Sequence, residues 1–185
     1  MAFIIDSSGS IGRRNYGKIK DFVKNVARGF QVSPSGSRAG IILYSNSASV
    51  KVHFDQHATI DEFTKAVVNL PHERGLTYID KALRLAASEL FPRARKNVPW
   101  IAMLLTDGKQ TNPDGTVNLR AASAPLRRQG VRVITFGVGK NINVRELRLT
   151  VERDEDVIHV QKFDYLLSRV KNYTSSLCQA SGKII

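Results

Sequence analysis

The sequence predicts an α/β fold with a doubly wound, mainly parallel sheet and helices on both faces. Short apolar runs of strand length alternate along the chain with amphipathic segments of helical period, which is the pattern of successive βα units. The apolar run at residues 100–105 is continuous, as is typical of a strand that is covered on both faces. The chain has 185 residues, of which 42% are hydrophobic and 24% charged, and this length suits one domain over residues 1–185.

The first part of the chain is expected to form a βα unit followed by a β hairpin. A buried strand at residues 2–5 ends at Asp6, and a helix follows at 14–30, where apolar residues recur three and four positions apart. Residues 39–44 form the next strand. Apolar and polar residues alternate at 49–54, which favours a half-exposed strand at an edge of the sheet.

Helices and strands alternate through the rest of the chain. Thr59 is the expected N-cap of a helix at 59–70, which Pro71 ends. The later elements are a helix at 78–91, a strand at 100–105, a helix at 117–129, a strand at 131–136, a short helix at 143–150, a strand at 157–160 and a helix at 163–177, before a short tail. Such an order predicts right-handed crossovers, and ligands of these folds bind beyond the carboxyl ends of the strands.

Oxygen-bearing side chains follow two of the predicted strands at their carboxyl ends. Asp6, Ser8 and Ser10 stand at alternate positions, so a loop leaving the first strand can turn all three towards one point. Asp107 follows the central strand. Hard divalent cations such as Mg²⁺, Mn²⁺ and Ca²⁺ prefer oxygen ligands of this kind. On spacing alone the alternative is equally open, namely that Asp and Ser cap a turn and the helix after it.

Three separated motifs resemble the metal-ion-dependent adhesion site of von Willebrand factor A domains, a site that integrin inserted domains share. They are Asp6-x-Ser8-x-Ser10, the threonine of Arg74-Gly75-Leu76-Thr77, and Thr106-Asp107-Gly108. The resemblance covers nearly the whole chain and implies a mainly parallel six-stranded sheet with one antiparallel edge strand at 49–54. It also implies a metal site in which Ser8, Ser10 and Thr77 supply hydroxyl ligands, while Asp6 and Asp107 bind directly or through water.

The function that this resemblance implies is binding rather than catalysis. Two carboxylates at most cancel the charge of a Mg²⁺ ion, or of Mn²⁺ or Ca²⁺ in its place, and leave a coordination position for an Asp or Glu of a partner protein. The expected module is a non-enzymatic cell-adhesion domain of a secreted, extracellular matrix protein, with a collagen or another matrix protein as its ligand. In integrin inserted domains the C-terminal helix slides when binding tightens, so helix 163–177 is a candidate switch, with a rigid helix as the alternative.

Two features depart from the pattern of the family. Many members carry two glycines before the ligand threonine, whereas this chain has Arg74-Gly75-Leu76, which keeps Thr77 but puts the shape of the loop in question. Members usually also have a few more residues before Phe3. The chain is therefore expected to be a fragment of a larger protein with a slightly truncated first strand.

The charge of the chain suggests a competing function. Lys and Arg number 28 against 16 Asp and Glu, which gives a net charge of +12 and favours polyanionic partners such as a sulfated glycan. The basic residues are scattered, without a run of five or six like charges and without interleaved aromatic residues, which argues against specific nucleic-acid binding. The alternatives are a solvated surface, or a glycan-binding structural matrix module in which the metal is incidental.

Two residues near the C-terminus bear on the compartment of the protein. Cys178 is the single cysteine, so no internal disulfide exists, and the resemblance to matrix proteins with bracketing cysteines implies a disulfide to a residue outside the fragment. A reduced thiol in an intracellular protein is the alternative. Asn172 begins the one N-glycosylation sequon, which would make the parent a glycoprotein. The longest apolar run, at 98–105, is too short for membrane insertion.

Motifs typical of enzymes are incomplete in this sequence. Residues 12–18 match the beginning of a phosphate-binding P-loop, but Ile19 stands where a hydroxyl must bind Mg²⁺. The pair of glycines at 137–139 lacks the third glycine of a dinucleotide-binding loop. No Gly-x-Ser-x-Gly elbow surrounds Ser8 or Ser10, and the histidines are expected to be solvated or capping residues away from the strand ends; they are His53, His57, His72 and His159.

Overall fold

The computed structural model describes residues 1–33, 35–140 and 142–165, and these form a six-stranded sheet with helices on both faces. The strands are β1 (Ala2–Asp6), β2 (Gly40–Tyr44), β3 (Ala48–Val52), β4 (Trp100–Thr106), β5 (Val131–Val138) and β6 (Val157–Val160). The helices are α1 (Gly12–Gly29), α2 (Ile60–Val68), α3 (Ile79–Leu85), α4 (Leu119–Arg128) and α5 (Val144–Arg148). The predicted fold class is confirmed.

The order of strands across the sheet is β3-β2-β1-β4-β5-β6. All neighbouring strands are parallel except β3, which pairs antiparallel with β2 at the edge. This edge strand ends at Val52, two residues before the predicted end. The chain turns there because the backbone N–H of His53 donates to the Gln56 side chain at 3.0 Å, while the backbone N–H of Gln56 donates to the carbonyl of His53 at 3.2 Å.

The apolar side chains of the strands alternate between two hydrophobic layers. Phe3 and Ile5 belong to the layer that also contains the buried residues of α1 and α2. Ala2 and Ile4 belong to the layer that contains the buried residues of α3, α4 and α5. Because helices cover both faces, the central strands carry apolar residues at every position rather than at every second one.

The helix boundaries differ from the predicted ones by a few residues, for local reasons. α2 begins directly after Thr59, which forms a capping box with Glu62 as predicted for a Thr N-cap. The predicted helix at 78–91 continues beyond α3 only as a π-helical turn at Ala86–Leu90 and a 3₁₀ turn at Phe91–Arg93. α4 begins two residues later than predicted, because the side chain of Asn118 caps it.

The predicted C-terminal helix at 163–177 lies mostly outside the described residues. Phe163–Tyr165 form a 3₁₀ turn, and residues 166–185 are not described. Asn172 and Cys178, the candidate glycosylation and disulfide positions, fall in that part of the chain.

The two central strands create the place where a ligand is expected to bind. From β1 the chain passes through α1 to β2 on one side, and from β4 it passes through α4 to β5 on the other. Ile5 pairs with Leu105 in the register of β1 and β4, so Asp6 and Thr106 are adjacent at the carboxyl ends of these strands. Open α/β sheets bind ligands in the crevice at such a switch point.

Candidate metal centre

Asp6 is a buried carboxylate at the end of β1. One carboxylate oxygen accepts a hydrogen bond from the backbone N–H of Ser8 at 2.8 Å, and the other accepts from the hydroxyl of Thr106 at 2.7 Å. Burial raises the pKa of Asp6 to about 6, against the lowering effect of these hydrogen bonds, and the charge of Asp107 raises the pKa further. The side chain is therefore held in place, but its negative charge is poorly compensated.

Two serine hydroxyls connect Asp6 to Asp107 across the ends of the strands. The hydroxyl oxygens of Ser8 and Ser10 lie 3.0 Å apart, and the hydroxyl of Ser10 donates to a carboxylate oxygen of Asp107 at 2.7 Å. Burial also raises the pKa of Asp107, although the hydrogen bond from Ser10 opposes this shift. The alternate spacing of Asp6, Ser8 and Ser10 thus turns all three towards one region, as the sequence predicts.

Thr77 reaches the same region from the loop before α3. A Cβ atom built on Gly108 would lie 3.6 Å from the hydroxyl oxygen of Thr77 and 3.8 Å from that of Ser10, so both oxygens border one small space. The backbone of Thr77 is fixed by Thr111, whose hydroxyl accepts from the Thr77 N–H at 3.0 Å and whose N–H donates to the Thr77 carbonyl at 2.7 Å. The structure therefore brings the five predicted site residues together.

The donor set fits a hard divalent cation. It consists of the carboxylates of Asp6 and Asp107 and the hydroxyls of Ser8, Ser10 and Thr77, all of them oxygen ligands. Within the described ranges, neither carboxylate forms an ion pair with a Lys or Arg side chain. The same part of the chain contains no group of three or more His, Cys, Asp or Glu residues placed to hold a metal. A cation of the Mg²⁺ type would supply the missing positive charge.

The loop at residues 7–10, which follows β1, is called the serine loop. Residues 71–76 form a second loop that supports it. The backbone N–H of Arg74 donates to the carbonyl of Ser7 at 2.8 Å, and the N–H of Gly9 donates to the carbonyl of Gly75 at 2.9 Å. Arg74 has a φ of 60°, in the left-handed region that glycine adopts most easily. The chain therefore forms this turn with an arginine in a left-handed backbone conformation.

His72 lies beside the site, so the prediction that all four histidines lie away from the strand ends is wrong. Its Nε2 atom is 3.0 Å from the carbonyl oxygen of Ser8, and its ring stacks on Tyr16 with ring centroids 4.6 Å apart. The hydroxyl of Tyr16 donates to the carbonyl of Pro71 at 2.6 Å. The contact joins residues 64 positions apart in the chain, so no local pattern in the sequence indicates it.

Thr106 and Ser7 also have roles that the sequence analysis did not assign. Thr106 holds the inner oxygen of Asp6, and the side chain of Ser7 accepts a hydrogen bond from the backbone N–H of Glu73 at 2.7 Å. Thr106 comes directly after the predicted central strand, so its position at the strand end could have indicated a role in the site. Ser7 had no such signal, because its partner belongs to a loop of unpredicted course.

An open cleft of about 630 Å³ leads from solvent to the site. Its lining residues are Ser10, Thr77, Asp107, Gly108, Lys109, Lys140 and Ile142. A second cleft, of about 320 Å³, adjoins the first and shares Asp107 and Lys140 with it. The site can therefore receive a side chain from a partner molecule without rearrangement of the sheet.

The incomplete enzyme motifs have structural roles in this fold. Residues 12–18 belong to the first turns of α1 rather than to a loop that leaves a strand directly. Gly137 lies in β5, where a Cβ atom would come within 2.7 Å of the Ile142 side chain, so the glycine permits close packing. In the described part of the chain, every helix is too short or too polar to cross a lipid bilayer.

Comparison with known families gives one match that covers most of the chain. The family model described as "von Willebrand factor type A domain" matches residues 1–172. This range includes all five residues of the candidate metal centre.

The relatives of the chain include matrix proteins. The collagen alpha-1(XXI) chain of Xenopus laevis is 25% identical over 183 residues, which make up 98% of this chain and 19% of the relative. The collagen alpha-1(XX) chain of Homo sapiens is 30% identical over 169 residues, or 90% of this chain and 13% of the relative. Matrilin-1 of Gallus gallus is 27% identical over 189 residues, or 98% of this chain and 37% of the relative. The chain thus spans well under half the length of these relatives.

Solved structures share the fold. Proximal thread matrix protein 1 from the mussel byssus, in a structure with a zinc-occupied MIDAS motif, matches with a TM-score of 0.87 and 26% identity over 96% of this chain and 45% of the other. Another crystal form of that protein matches with a TM-score of 0.85 and 23% identity over 92% of this chain and 46% of the other.

Proposed function

Because the chain belongs to the von Willebrand factor type A domain family, we propose that it is a divalent-cation-dependent adhesion module that binds an acidic side chain of a partner protein. Its collagen and matrilin relatives place it among extracellular matrix proteins. The observation that carries the proposal is the convergence of Asp6, Ser8, Ser10, Thr77 and Asp107 at the carboxyl ends of β1 and β4.

The charges of the site residues are suited to binding one divalent cation. Asp6 and Asp107 together carry two negative charges at most, which equals the charge of one divalent cation. When bound, the cation supplies a Lewis-acidic coordination position for a carboxylate oxygen. Ser10 and Asp107 line the open cleft, so a partner side chain approaches from that side, while buried Asp6 and Thr106 hold the inner side of the site.

The chemistry of the site supports a non-enzymatic role. Ser8 and Ser10 hydrogen-bond to one another, Ser10 also bonds to Asp107, and His72 faces the carbonyl of Ser8 rather than a hydroxyl. Among the described residues, neither Ser8 nor Ser10 therefore has a histidine base. The collagen and matrilin relatives are matrix proteins, which also supports a non-enzymatic role. The site is organised to bind a ligand and not to break a bond.

The proposed resident ion is Mg²⁺, with Mn²⁺ or Ca²⁺ as alternatives. The oxygen-only donor set supports a hard cation of this kind. The zinc-occupied MIDAS motif of the mussel byssus protein supports a divalent-cation site at the corresponding place in the fold, without deciding which ion this chain holds. Competition among these ions, followed by calorimetry, identifies the preferred one.

The competing function is binding of a sulfated glycan by the basic surface, which the net charge of +12 favours. The two functions are separated by surface plasmon resonance of the chain over immobilised collagen and immobilised heparin. Binding that is lost in EDTA and in Asp107→Ala supports the metal-dependent function. Binding that survives EDTA but is lost at high salt supports the glycan-binding function and contradicts the proposal.

Two further proposals concern residues outside the described part of the chain. We propose that Cys178 forms a disulfide with a cysteine outside residues 1–185, and that Asn172 is glycosylated in the secreted protein. Peptide mapping of the full-length secreted protein, with and without reduction and glycosidase treatment, tests both. A reduced Cys178 or an unmodified Asn172 in that material contradicts the respective proposal.

A further inference from the structure

We propose that Lys109 and Lys140 select partner segments that carry further carboxylates beside the one that binds the metal. This inference rests on the proposed function, because it describes the neighbourhood of the same site. It names the chemistry of the partner: an extended acidic protein segment, rather than one isolated Asp or Glu in neutral surroundings.

The first observation is the position of the two lysines. Lys109 and Lys140 line the cleft of about 630 Å³ together with the site residues Ser10, Thr77 and Asp107. Lys140 also lines the adjoining cleft of about 320 Å³. Both lysines are exposed, so their ammonium groups reach the solvent through which a partner must approach. A segment that places a carboxylate at the metal must pass them.

The second observation is the charge balance of the cleft. Among the described residues, Asp107 is the only acidic one that lines the larger cleft, and with Asp6 it balances the charge of one divalent cation. Among the described residues, neither Lys109 nor Lys140 forms an ion pair with an acidic side chain. Within the lining of the larger cleft, the occupied site therefore leaves two lysine charges without a matching carboxylate, whereas one partner carboxylate brings a single negative charge. Glu146, outside that lining, offsets part of the charge of Lys109, which opposes the raised pKa of Glu146.

The adjoining cleft contains a lysine whose charge is compensated by an ion pair. Lys18 lines that cleft and pairs with Asp164 at 2.7 Å, so it attracts an external anion less strongly. Lys162 lines that cleft too and has no ion pair among the described residues, but its charge acts on Asp164, which lines the same cleft. Lys109 and Lys140 are the lysines that share the larger cleft with Ser10, Thr77 and Asp107. Additional carboxylates of a partner are expected to lie beside these two lysines.

The form of the clefts favours a protein segment over a sulfated glycan. Apolar side chains line them as well, namely Ile142 in one and Val138 and Phe163 in the other. The lysines that line the two clefts without an ion pair in the described residues are Lys109, Lys140 and Lys162, which form a small basic surface. A peptide supplies carboxylates and apolar groups together, and alternate side chains of an extended peptide face the same way, about 7 Å apart.

The test compares two labelled heptapeptides by fluorescence anisotropy in millimolar Mg²⁺. One has glutamate at its second, fourth and sixth positions and glycine elsewhere; the other has glutamine in place of the two outer glutamates. We expect the triple-glutamate peptide to bind about fivefold more tightly, because each flanking ion pair at an exposed site contributes modestly. In Lys109→Gln/Lys140→Gln the ratio of the two affinities falls to about one.

The matched control is Lys96→Gln/Arg128→Gln, which removes the same charge. Lys96 precedes β4 and Arg128 precedes β5, so both are near the opposite edge of the sheet. Both side chains are exposed. This control is expected to keep the fivefold ratio. A ratio that falls equally in both double variants shows an effect of net charge alone and overturns the assignment to Lys109 and Lys140.

The outcomes separate this inference from the proposed function. Mg²⁺-dependent binding of both peptides with equal affinity overturns the role of the lysines and leaves the metal-dependent function intact. Binding of neither peptide in a Mg²⁺-dependent manner contradicts the proposed function itself. Heparin that binds without Mg²⁺, competes with the peptides and is released by Lys109→Gln/Lys140→Gln would assign the lysines to a glycan and overturn the inference.

Discussion

At the scale of single residues, the candidate site combines two carboxylates that are close to each other and to no cationic side chain in the described ranges. Burial raises the pKa of Asp6 and of Asp107, and the charge of Asp107 adds to the effect on Asp6. Hydrogen bonds from Ser8, Ser10 and Thr106 offset only part of this cost. The apo site is thus a source of instability that a divalent cation would relieve.

Mg²⁺ is expected to raise the melting temperature of the chain, and Asp6→Ala and Asp107→Ala are expected to remove the increase. A ligand at a hundredfold excess over its Kd stabilises the folded state by about 2.7 kcal/mol. Asp55→Ala is the control, because Asp55 is an exposed carboxylate beyond the end of β3, near the opposite edge of the sheet. Equal melting in EDTA and in millimolar Mg²⁺, measured by scanning calorimetry, would contradict the metal site.

In EDTA, the stability of the chain relative to Asp6→Asn is expected to decrease as the pH rises from 4 to 7. The pKa of Asp6 is about 6 in the folded chain against an ordinary 3.8, so folding takes up a proton between these values. The protonated carboxyl contributes at most about 3 kcal/mol to the free energy of unfolding. This contribution is complete below about pH 4 and is lost as the pH rises through 6. Urea unfolding of both proteins across this range measures their free energies of unfolding. A stability of the chain relative to Asp6→Asn that rises with pH would contradict the raised pKa.

At the scale of elements, the loop at residues 71–76 determines where the serine loop lies. Ser45 and Asn46, which follow β2, accept the backbone N–H groups of Gly75 and Leu76 at 2.9 and 2.8 Å. The loop in turn bonds to Ser7 and Gly9 through its backbone. Three chain segments therefore hold one another in place, and the candidate ligands Ser8 and Thr77 are adjacent to these bonds.

Gly75→Ala is expected to lower both the stability and the affinity for Mg²⁺. A Cβ atom at this position would lie 2.6 Å from two atoms of the Asn46 side chain, which then has to move away from the backbone it holds. Overpacking of this kind typically costs about 1–3 kcal/mol. Thermal unfolding and Mg²⁺ calorimetry measure the two effects.

Gly17→Ala is the matched control for that variant. Gly17 lies inside α1 and a Cβ atom there would meet nothing within 4 Å, so the added methyl group favours the helix. The expected gain is about 0.5–1 kcal/mol, with unchanged Mg²⁺ affinity. If Gly17→Ala and Gly75→Ala have equal effects, close packing at Gly75 is not the cause.

At the scale of the whole molecule, a strong positive charge surrounds a small acidic site. The net charge of +12 is distributed over a sheet and two helical layers, and most of the ion pairs in the described residues involve exposed side chains. Exposed pairs contribute little to stability, whereas like charges in excess repel one another throughout the folded chain. Repulsion is therefore expected to dominate the response to salt.

Raising NaCl from 10 mM to 100 mM is expected to raise the melting temperature. Over this range the screening length falls from about 30 Å to about 10 Å, which weakens repulsion between distant charges more than attraction within close pairs. Na₂SO₄ at equal ionic strength should have a similar effect if screening is the cause. A melting temperature that falls with NaCl would show that the ion pairs outweigh the net charge.

The order of elements, the edge strand and the five candidate ligands could all be predicted from the sequence. Hydrophobic periodicity is a local property, and the carboxyl ends of parallel strands lie at one edge of the sheet, so Asp6 and Asp107 were expected at the same edge. That the two carboxylates are neighbours depends on the pairing of β1 with β4. Element ends were less predictable, since a cap such as Asn118 or the turn after Val52 depends on a few hydrogen bonds.

The sequence by itself determined the fold class and placed oxygen-bearing side chains at the ends of strands, because hydrophobic periodicity and residue chemistry are local properties. Spacing left a metal site and a capped turn equally open, and the resemblance to von Willebrand factor A domains favoured the metal site. Only the tertiary structure decided the position of His72 against Ser8, the left-handed turn at Arg74 and the placement of Lys109 and Lys140 in one cleft. These features depend on loops whose course is set by long-range contacts. Their free energy comes from packing and hydrogen bonds between distant segments, for which a single sequence contains no periodic signal.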